Sequence, residues 1–269
     1  MSDTLGISFI GGGNMASAII DSLILSQTVS PDNISVYDTS QERCEDLKNK
    51  GIHIASCADE LAQKKDILFL AVKPQVMDDV LYKISGKLNS TCVVSIAAGI
   101  SVNHIRSIIG NDTPVVRVLP NTPMLALEGM TVVADAPSVN SDVFDFILSI
   151  FKASGEVMVL PEEKINEVIP LSSSSPAFFF RMLKAMAESG ERFGISFEQA
   201  FTLSAVAMYG SACYAIKSNK SIDELIRQVS SPGGTTVAAL SAFDDYEFEK
   251  LIDETFKRCI SRAYELGNN

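Results

Sequence analysis

The run Gly6-Ile-Ser-Phe-Ile-Gly-Gly-Gly-Asn-Met-Ala-Ser-Ala-Ile-Ile20 leaves this chain few folds to choose from. Ile7, Phe9 and Ile10 make a short apolar stretch of strand composition that stops at three consecutive glycines. From Met15 the period becomes helical, with Met15, Ala18, Ile19 and Leu23 on one face beside Ile20 and Ile24. A strand, a glycine turn and a helix in so short a span form the context of a dinucleotide-binding fingerprint. In that reading Gly11 allows the tight turn and Gly13 lets the backbone approach a pyrophosphate. Ala16, in the slot of the third small residue, keeps helix and strand close. The free N–H groups of the new helix then face the phosphates. A glycine run alone would mean only a turn that needs positive φ. The flanking strand and helix are what make it a binding site.

The 269 residues suffice for one large α/β domain or two smaller ones. A turn at Ser30-Pro31-Asp32-Asn33 leads into a strand over 34–37 that ends on Asp38. An acid there holds ribose hydroxyls in dinucleotide folds and repels a 2′-phosphate. Ser40 and Arg43 follow and could receive that phosphate, and Asp38 could equally belong to the start of the next helix. The residues alone leave NADH and NADPH both open. A charged helix over 41–50, a short strand over 52–54 and a helix over 58–64 come next. Residues 66–72 are a nearly continuous apolar run, as in a parallel strand buried on both faces. Ligands in such sheets bind beyond the carboxyl ends of strands, so Ala71, Val72 and Lys73 are candidate cofactor neighbours. Lys73 could equally be a solvated surface residue. Then follow a helix over 76–88, a strand over 92–97, a helix over 102–109 and strands over 115–119 and 131–134. A helix over 143–153 and a last strand over 156–160 complete the series. This alternation implies an α/β fold, a Rossmann-type doubly wound and mostly parallel sheet with an antiparallel edge, over residues 1–161.

Beyond Pro161 strand patterns cease, and residues 162–269 read as an all-helical second domain. A helix over 162–169 precedes the polar break Ser172-Ser-Ser-Ser-Pro176, after which Pro176 opens a helix reaching about 192. Ser196-Phe-Glu-Gln199 and Ser221-Ile-Asp-Glu224 are capping boxes. The helix over 197–217 carries Ala205, Ala207, Met208, Gly210 and Ala212 on several faces, too apolar all round for a monomer surface. Pairing with a second subunit is expected, with a self-contained small bundle as the alternative. A helix over 246–266 closes the chain.

One stretch in this half carries chemistry, Ser230-Ser-Pro-Gly-Gly-Thr-Thr236. With Ser231 as N-cap and Pro232 as first helical residue, Gly233, Gly234 and Thr235 would hold the free N–H groups of a first turn. Paired glycines there cost stability relative to alanine but leave the donors bare for an anion. A carboxylate held in this way needs no lysine or arginine.

The same residues, taken with others, resemble the pyrroline-5-carboxylate reductases along essentially the whole chain. The likeness runs through Phe9-Ile-Gly-Gly-Gly-Asn-Met-Ala16, Phe69-Leu-Ala-Val-Lys-Pro-Gln75 and Ser95-Ile-Ala-Ala-Gly-Ile100. It continues in Arg117-Val-Leu-Pro-Asn-Thr-Pro123, Glu128-Gly-Met130 and Ser231-Pro-Gly-Gly-Thr-Thr236. It implies reduction of 1-pyrroline-5-carboxylate to L-proline by NADPH, with NADH also usable. It implies a helical dimerisation domain, a substrate site assembled between two subunits, and homodimers or larger assemblies such as decamers. Carried over, Gly11, Gly13, Asn14 and Met15 would hold the pyrophosphate, and Asp38 would stand by the adenosine ribose. Ala71, Lys73 and Pro74 would line the ribose and nicotinamide, flanked by Ala98, Gly99 and Asn121. Ser231, Gly233, Gly234 and Thr235 would bind the substrate, and Thr236 would reach its ring nitrogen as the catalytic candidate. One departure stands out. Relatives often read Ser-Gly-Ser-Gly-Pro-Ala-Tyr where this chain has Ser172-Ser-Ser-Ser-Pro-Ala-Phe178, and serine would be strained wherever that loop needs positive φ.

Two other readings use the same residues. A dehydrogenase of another small hydroxy or imino acid would place a lysine or histidine acid in the helical part, with Lys184 and Lys217 the nearest candidates. A dinucleotide-sensing protein without catalysis would keep the fold alone. Composition narrows the partners further. Asp and Glu outnumber Lys and Arg by 33 to 22, a net charge of −11, which argues against nucleic-acid or anionic-membrane partners. The five cysteines form no CxxC pair, so neither a disulfide framework nor a metal site is expected. His53 and His104 lack a carboxylate or cysteine at ligand spacing and read as loop or surface residues. The N-terminus shows no signal-peptide pattern, and a cytoplasmic protein is expected.

Overall fold

In the computed structural model, residues 5–64 and 66–267 are described. Residues 1–4, part of the N-terminus read above as lacking a signal-peptide pattern, lie outside them. The chain divides into two compact units, residues 1–176 with 259–269, and residues 177–258.

The first unit is built on an eight-stranded sheet. Its strands in chain order are β1 (Ile7–Ile10), β2 (Ile34–Tyr37), β3 (His53–Ile54), β4 (Ile67–Leu70), β5 (Cys92–Ser95), β6 (Val115–Leu119), β7 (Gly129–Ala134) and β8 (Gly155–Leu160). The spatial order is β3-β2-β1-β4-β5-β6-β7-β8. Strands from β3 across to β6 are parallel, β7 runs antiparallel to β6, and β8 is parallel to β7. The expected antiparallel edge is therefore a pair of strands.

Parallel strands joined by helices are covered on both faces, which explains the unbroken apolar runs. Ile7, Phe9, Ile67 and Phe69 pack into one layer with α1 (Asn14–Leu25) and α6 (Ser141–Lys152). Ile10, Leu68 and Leu70 point the other way, toward α3 (Ala58–Lys64), α4 (Met77–Ile84) and α5 (Val102–Ile109). Phe9 and Phe69 stack with ring centroids 4.6 Å apart, and Phe151 meets Phe69 edge-on at 6.2 Å. Cys92 lies buried in this sheet, and burial pushes its thiol up to about 12 despite the Arg106 charge. The charged α2 (Gln41–Asn49) starts on Ser40, whose hydroxyl accepts from the Arg43 N–H.

Two expectations are corrected here. The helix expected over 76–88 is shorter, a 3₁₀ turn at Pro74–Val76 followed by α4. Ser85 leaves helical geometry at ψ 134°, and its hydroxyl donates to the Ile108 carbonyl at 2.8 Å. The polar break at 172–175 is not a loop. A 3₁₀ turn (Glu162–Lys164), α7 (Ile165–Val168) and a wide π-type turn (Ile169–Ser173) run almost directly into α8 (Ser175–Arg192). None of Ser172 to Ser175 has positive φ, so serines stand there without strain.

The second unit consists of α8 from Ala177, α9 (Phe197–Lys217), α10 (Ile222–Val229), α11 (Thr235–Asp245) and the greater part of α12 (Phe248–Gly267). Ser221 and Glu224 close a full capping box on α10. At Ser196 only half of that pattern forms, since its hydroxyl accepts from the Gln199 N–H but meets the Gln199 side chain rather than freeing it for the backbone. Only Ala187 and Ala200 are buried among the described residues of this unit. Phe193, Leu203, Val206, Tyr209 and Ile216 are all more than half exposed. Helices that bury two alanines have no core of their own, so this unit needs a partner surface, and the self-contained bundle is not supported.

Native protein treated with a thiol reagent at pH 8 should be labelled at exposed Cys57 and spared at Cys92, as read by peptide mass spectrometry. An unfolded thiol ionises near pH 8.5 to 9, well before folded Cys92 does, so stability should decline as pH rises from about 9 toward 12. Labelling of Cys92 as fast as Cys57 would contradict this placement.

Candidate active site

The carboxyl ends of β2, β1, β4, β5 and β6 open onto one cleft of about 530 Å³. This is where open α/β sheets bind ligands, and the size suits a cofactor. Its centre is the glycine turn. Gly11 has φ +100°, and a Cβ there would lie 2.5 Å from the Ala71 carbonyl oxygen. Glycine is thus required twice over, for its backbone angle and for the closeness of β4. The first bond of α1 is Ser17 N–H to Gly13 O at 2.9 Å, so the N–H groups of Asn14, Met15 and Ala16 have no acceptor within the helix. No acidic residue competes in the first turn.

Asp38 is neither helix cap nor free acid. Its carboxylate accepts the Gly12 N–H at 2.6 Å and the Ser40 N–H at 2.8 Å. The side chain is 8% exposed, and Arg43 Nη1 lies 3.8 Å away. Asp38 therefore ties the glycine turn to the end of β2. The half-exposed Arg43 guanidinium leans toward Gly13, where a Cβ would stand 3.5 Å from Nη1.

The cleft brings together Gly11, Gly13, Asn14, Met15, Asp38, Ala71 and Lys73 from the expected cofactor set. Pro74, Ala98, Gly99 and Asn121 are not among the residues lining it. Pro74 borders a separate cavity of about 380 Å³ with Asp78, His104 and Arg262. Ala98 packs beside the Leu119 cluster, and Gly99 abuts the Ala263 carbonyl near the end of α12. Asn121 is buried, accepting the Met130 N–H at 2.9 Å and donating to the Ser172 carbonyl at 3.1 Å. Ile96, Pro120 and Ser173 complete the β5–β6 end of the cleft, and sequence reasoning did not single them out for it. For Ile96 and Pro120 the signal was topological, since they directly follow β5 and β6; Ser173, the last residue of the π-type turn, carried no such signal.

The substrate set Ser231, Gly233, Gly234, Thr235 and Thr236 belongs to the second unit, and its local structure corrects the expectation. Ser231 is not the N-cap. Ser231-Pro-Gly-Gly234 is a β-turn, closed by Gly234 N–H to Ser231 O at 2.9 Å, with Gly233 at φ +72°. Pro followed by a positive-φ glycine is the type II arrangement, which competes with proline as a first helical residue. The N-cap of α11 is Gly234, and the free first-turn donors are the N–H groups of Thr235, Thr236 and Val237.

Other candidates resolve simply. His104 Nε2 lies 2.7 Å from Asp78 Oδ1, and His53 Nε2 lies 3.8 Å from Glu60 Oε1, so both histidines do have carboxylate neighbours, supplied by the fold rather than by sequence spacing. Lys184 faces Glu188 at 3.6 Å on an exposed surface, and Lys217 sits in the last turn of α9. Among the described residues no group of three His, Cys, Asp or Glu could hold a metal ion. No helix among them is long and apolar enough to cross a membrane.

A glycine-turn cleft at the carboxyl edge of a Rossmann-type sheet, followed by a helical part without its own core, defines an oxidoreductase of the dinucleotide-binding class that works as a homo-oligomer. Comparison with known proteins narrows this class. Residues 6–99 match the model described as NADP oxidoreductase coenzyme F420-dependent, and residues 162–266 match Pyrroline-5-carboxylate reductase dimerisation. The chain is 37% identical to the pyrroline-5-carboxylate reductase of Escherichia coli (strain K12) over 265 residues, 98% of each chain. Among solved structures it is similar to a pyrroline-5-carboxylate reductase from Coxiella burnetii, at 31% identity and TM-score 0.85, covering 98% of this chain and 99% of that one. It is also similar to the Plasmodium falciparum enzyme solved with NADP bound, at 25% identity and TM-score 0.92 over the same shares. The chain belongs to the pyrroline-5-carboxylate reductase family.

Gly11→Ala should lower stability by about 2 kcal/mol or more, through a left-handed angle and a contact with β4 that cannot relax. Urea unfolding measures this, and stability within about 0.5 kcal/mol of the original would contradict the turn geometry.

Proposed function

We propose that this chain reduces 1-pyrroline-5-carboxylate to L-proline, taking hydride from NADPH and accepting NADH less well. The observation that carries the reading is the cleft at Gly11, whose bare backbone and open α1 N–H groups fit a pyrophosphate. When bound, a dihydronicotinamide would supply hydride from its C4 to the imine carbon, C2 of the pyrroline and C5 of the product proline, and the ring nitrogen would keep its proton as the amine forms.

The chain's own task is placement, because a protonated cyclic imine is already electrophilic. Holding two rings in register removes much of the barrier without acid–base machinery. Gly11, Gly13, Asn14 and Met15 hold the pyrophosphate, and Ala71 and Lys73 line the ribose and nicotinamide region. With both Asp38 oxygens bonded to backbone N–H groups, the half-exposed Arg43 beside it is the cation placed to meet a 2′-phosphate. The substrate carboxylate is taken by the amides and hydroxyls of Thr235 and Thr236, and the turn of Ser231, Gly233 and Gly234, bare of side chains at its two glycines, admits it. Thr236 Oγ orients the ring nitrogen. Residues 162–269 serve as a functional dimerisation part, giving a homodimer or a larger assembly such as a decamer, in the cytoplasm.

NADPH oxidation at 340 nm with and without pyrroline-5-carboxylate tests the activity, and absence of substrate-dependent oxidation overturns it. Thr236→Ala should lower kcat/KM about tenfold with NADPH affinity nearly unchanged. Equal loss of both would reject the role given to Thr236. Arg43→Ala should raise the KM for NADPH about tenfold or more and leave that for NADH almost unaltered. Parallel changes for the two cofactors would remove Arg43 from the 2′-phosphate site.

A further inference from the structure

Three separate chain segments line the β5–β6 end of the cleft, through Ile96, Pro120 and Ser173. All three lead back to one buried side chain. Arg117 is 3% exposed, in the middle of β6, three residues before Pro120. Its Nη2 donates to Asn166 Oδ1 at 2.7 Å, on the short helix α7 that runs into the π-type turn carrying Ser173. Its Nη1 lies 3.9 Å from Glu162 Oε1, and that same oxygen accepts the Val102 N–H at 2.8 Å. Val102 opens α5, directly after the loop that begins at Ile96. Glu167 supplies a further negative charge, held at 2.7 Å by the Tyr264 hydroxyl from the end of α12. Arg117 Nε and Glu167 Oε2 are buried and make no hydrogen bond to another protein atom.

A buried guanidinium is costly and is weak evidence for stability. An apolar residue beneath Leu119 would pack this face at least as well, since Leu119, Ile165, Val168, Ile169 and Ala263 already form an apolar cluster beside it. What the guanidinium adds is direction. Its planar fork addresses two partners on different segments at fixed angles, which an aliphatic side chain or an ammonium cannot reproduce.

We propose that Arg117 is a positioning residue for hydride transfer, holding the three segments that line the nicotinamide end of the cleft in one register. This rests on the reductase reading above. The strand order places Arg117 on the far side of β1 and β4 from Asp38 and Arg43, so the adenosine end of the cleft does not depend on it.

The test uses the full-length oligomer with NADPH and pyrroline-5-carboxylate. Arg117→Lys keeps the charge and loses the fork, Arg117→Met loses both, and Glu162→Gln at a partly exposed position removes the charge that ties the Val102 loop. Arg117→Lys and Arg117→Met should lower kcat at least tenfold while the NADPH Kd, read by cofactor fluorescence, stays within threefold. Glu162→Gln should lower kcat by a smaller factor with the same unchanged Kd, and it carries the test if the Arg117 variants fail to fold. A kcat within twofold of the original in Arg117→Lys, or in Glu162→Gln where it alone folds, overturns the proposal, as does loss of kcat matched by equal loss of NADPH affinity. If the unaltered protein binds NADPH but does not reduce pyrroline-5-carboxylate, the function reading falls and this inference falls with it. Turnover by the unaltered protein together with unimpaired variants overturns this inference alone.

Discussion

The closeness of two backbones, at Gly11 and Ala71, is the constraint from which the architecture follows. With 2.5 Å between a would-be Cβ and a carbonyl oxygen, no side chain fits, and β1 and β4 meet at their carboxyl ends with a cleft directly above. Asp38 extends that arrangement by binding Gly12 and Ser40 through their amides, so the glycine turn and the end of β2 behave as one piece. The stacked Phe9 and Phe69 beneath them keep the same two strands together from inside. A rigid floor with bare amides is what a reaction governed by placement requires.

The two halves solve opposite problems. The sheet buries most of the apolar side chains it carries, with Met158 and Val159 of the edge strand β8 the exposed exceptions, whereas the helices from α8 onward leave most of theirs exposed and bury little beyond Ala187, Ala200 and Ala263. Apolar area of that extent is stable in water only when covered, so association belongs to this half of the molecule as much as its helices do. The match of residues 162–266 to a dimerisation model agrees with that physical reading.

Legibility in the sequence followed the range of the interactions. The glycine turn, the apolar strands and the Ser221 capping box rest on neighbours a few residues apart, and they could be read directly. The start of α11 could not, because Ser-Pro-Gly-Gly is compatible with a capped helix and with a type II turn, and only the φ of Gly233 separates them. The serines at 172–175 looked like a break because serine competes with helical backbone hydrogen bonds, yet the hydroxyl of Ser175 and the amide of Ser174 bond back to Leu171 and Ile169 and carry the turn through. The Arg117 web was invisible for another reason. Its partners lie 45 to 147 positions away along the chain, and nothing in Arg-Val-Leu-Pro-Asn announces which of them the fold will deliver.

The central claim, that a floor of bare amides aligns a dihydronicotinamide with a small cyclic imine, is tested most directly by following the hydride itself. Turnover with NADPH carrying deuterium at C4 on the transferred face should deliver one deuterium to C5 of proline, with none lost to solvent, as read by mass spectrometry and NMR. Proline formed without the label, or label recovered in water, would contradict the account.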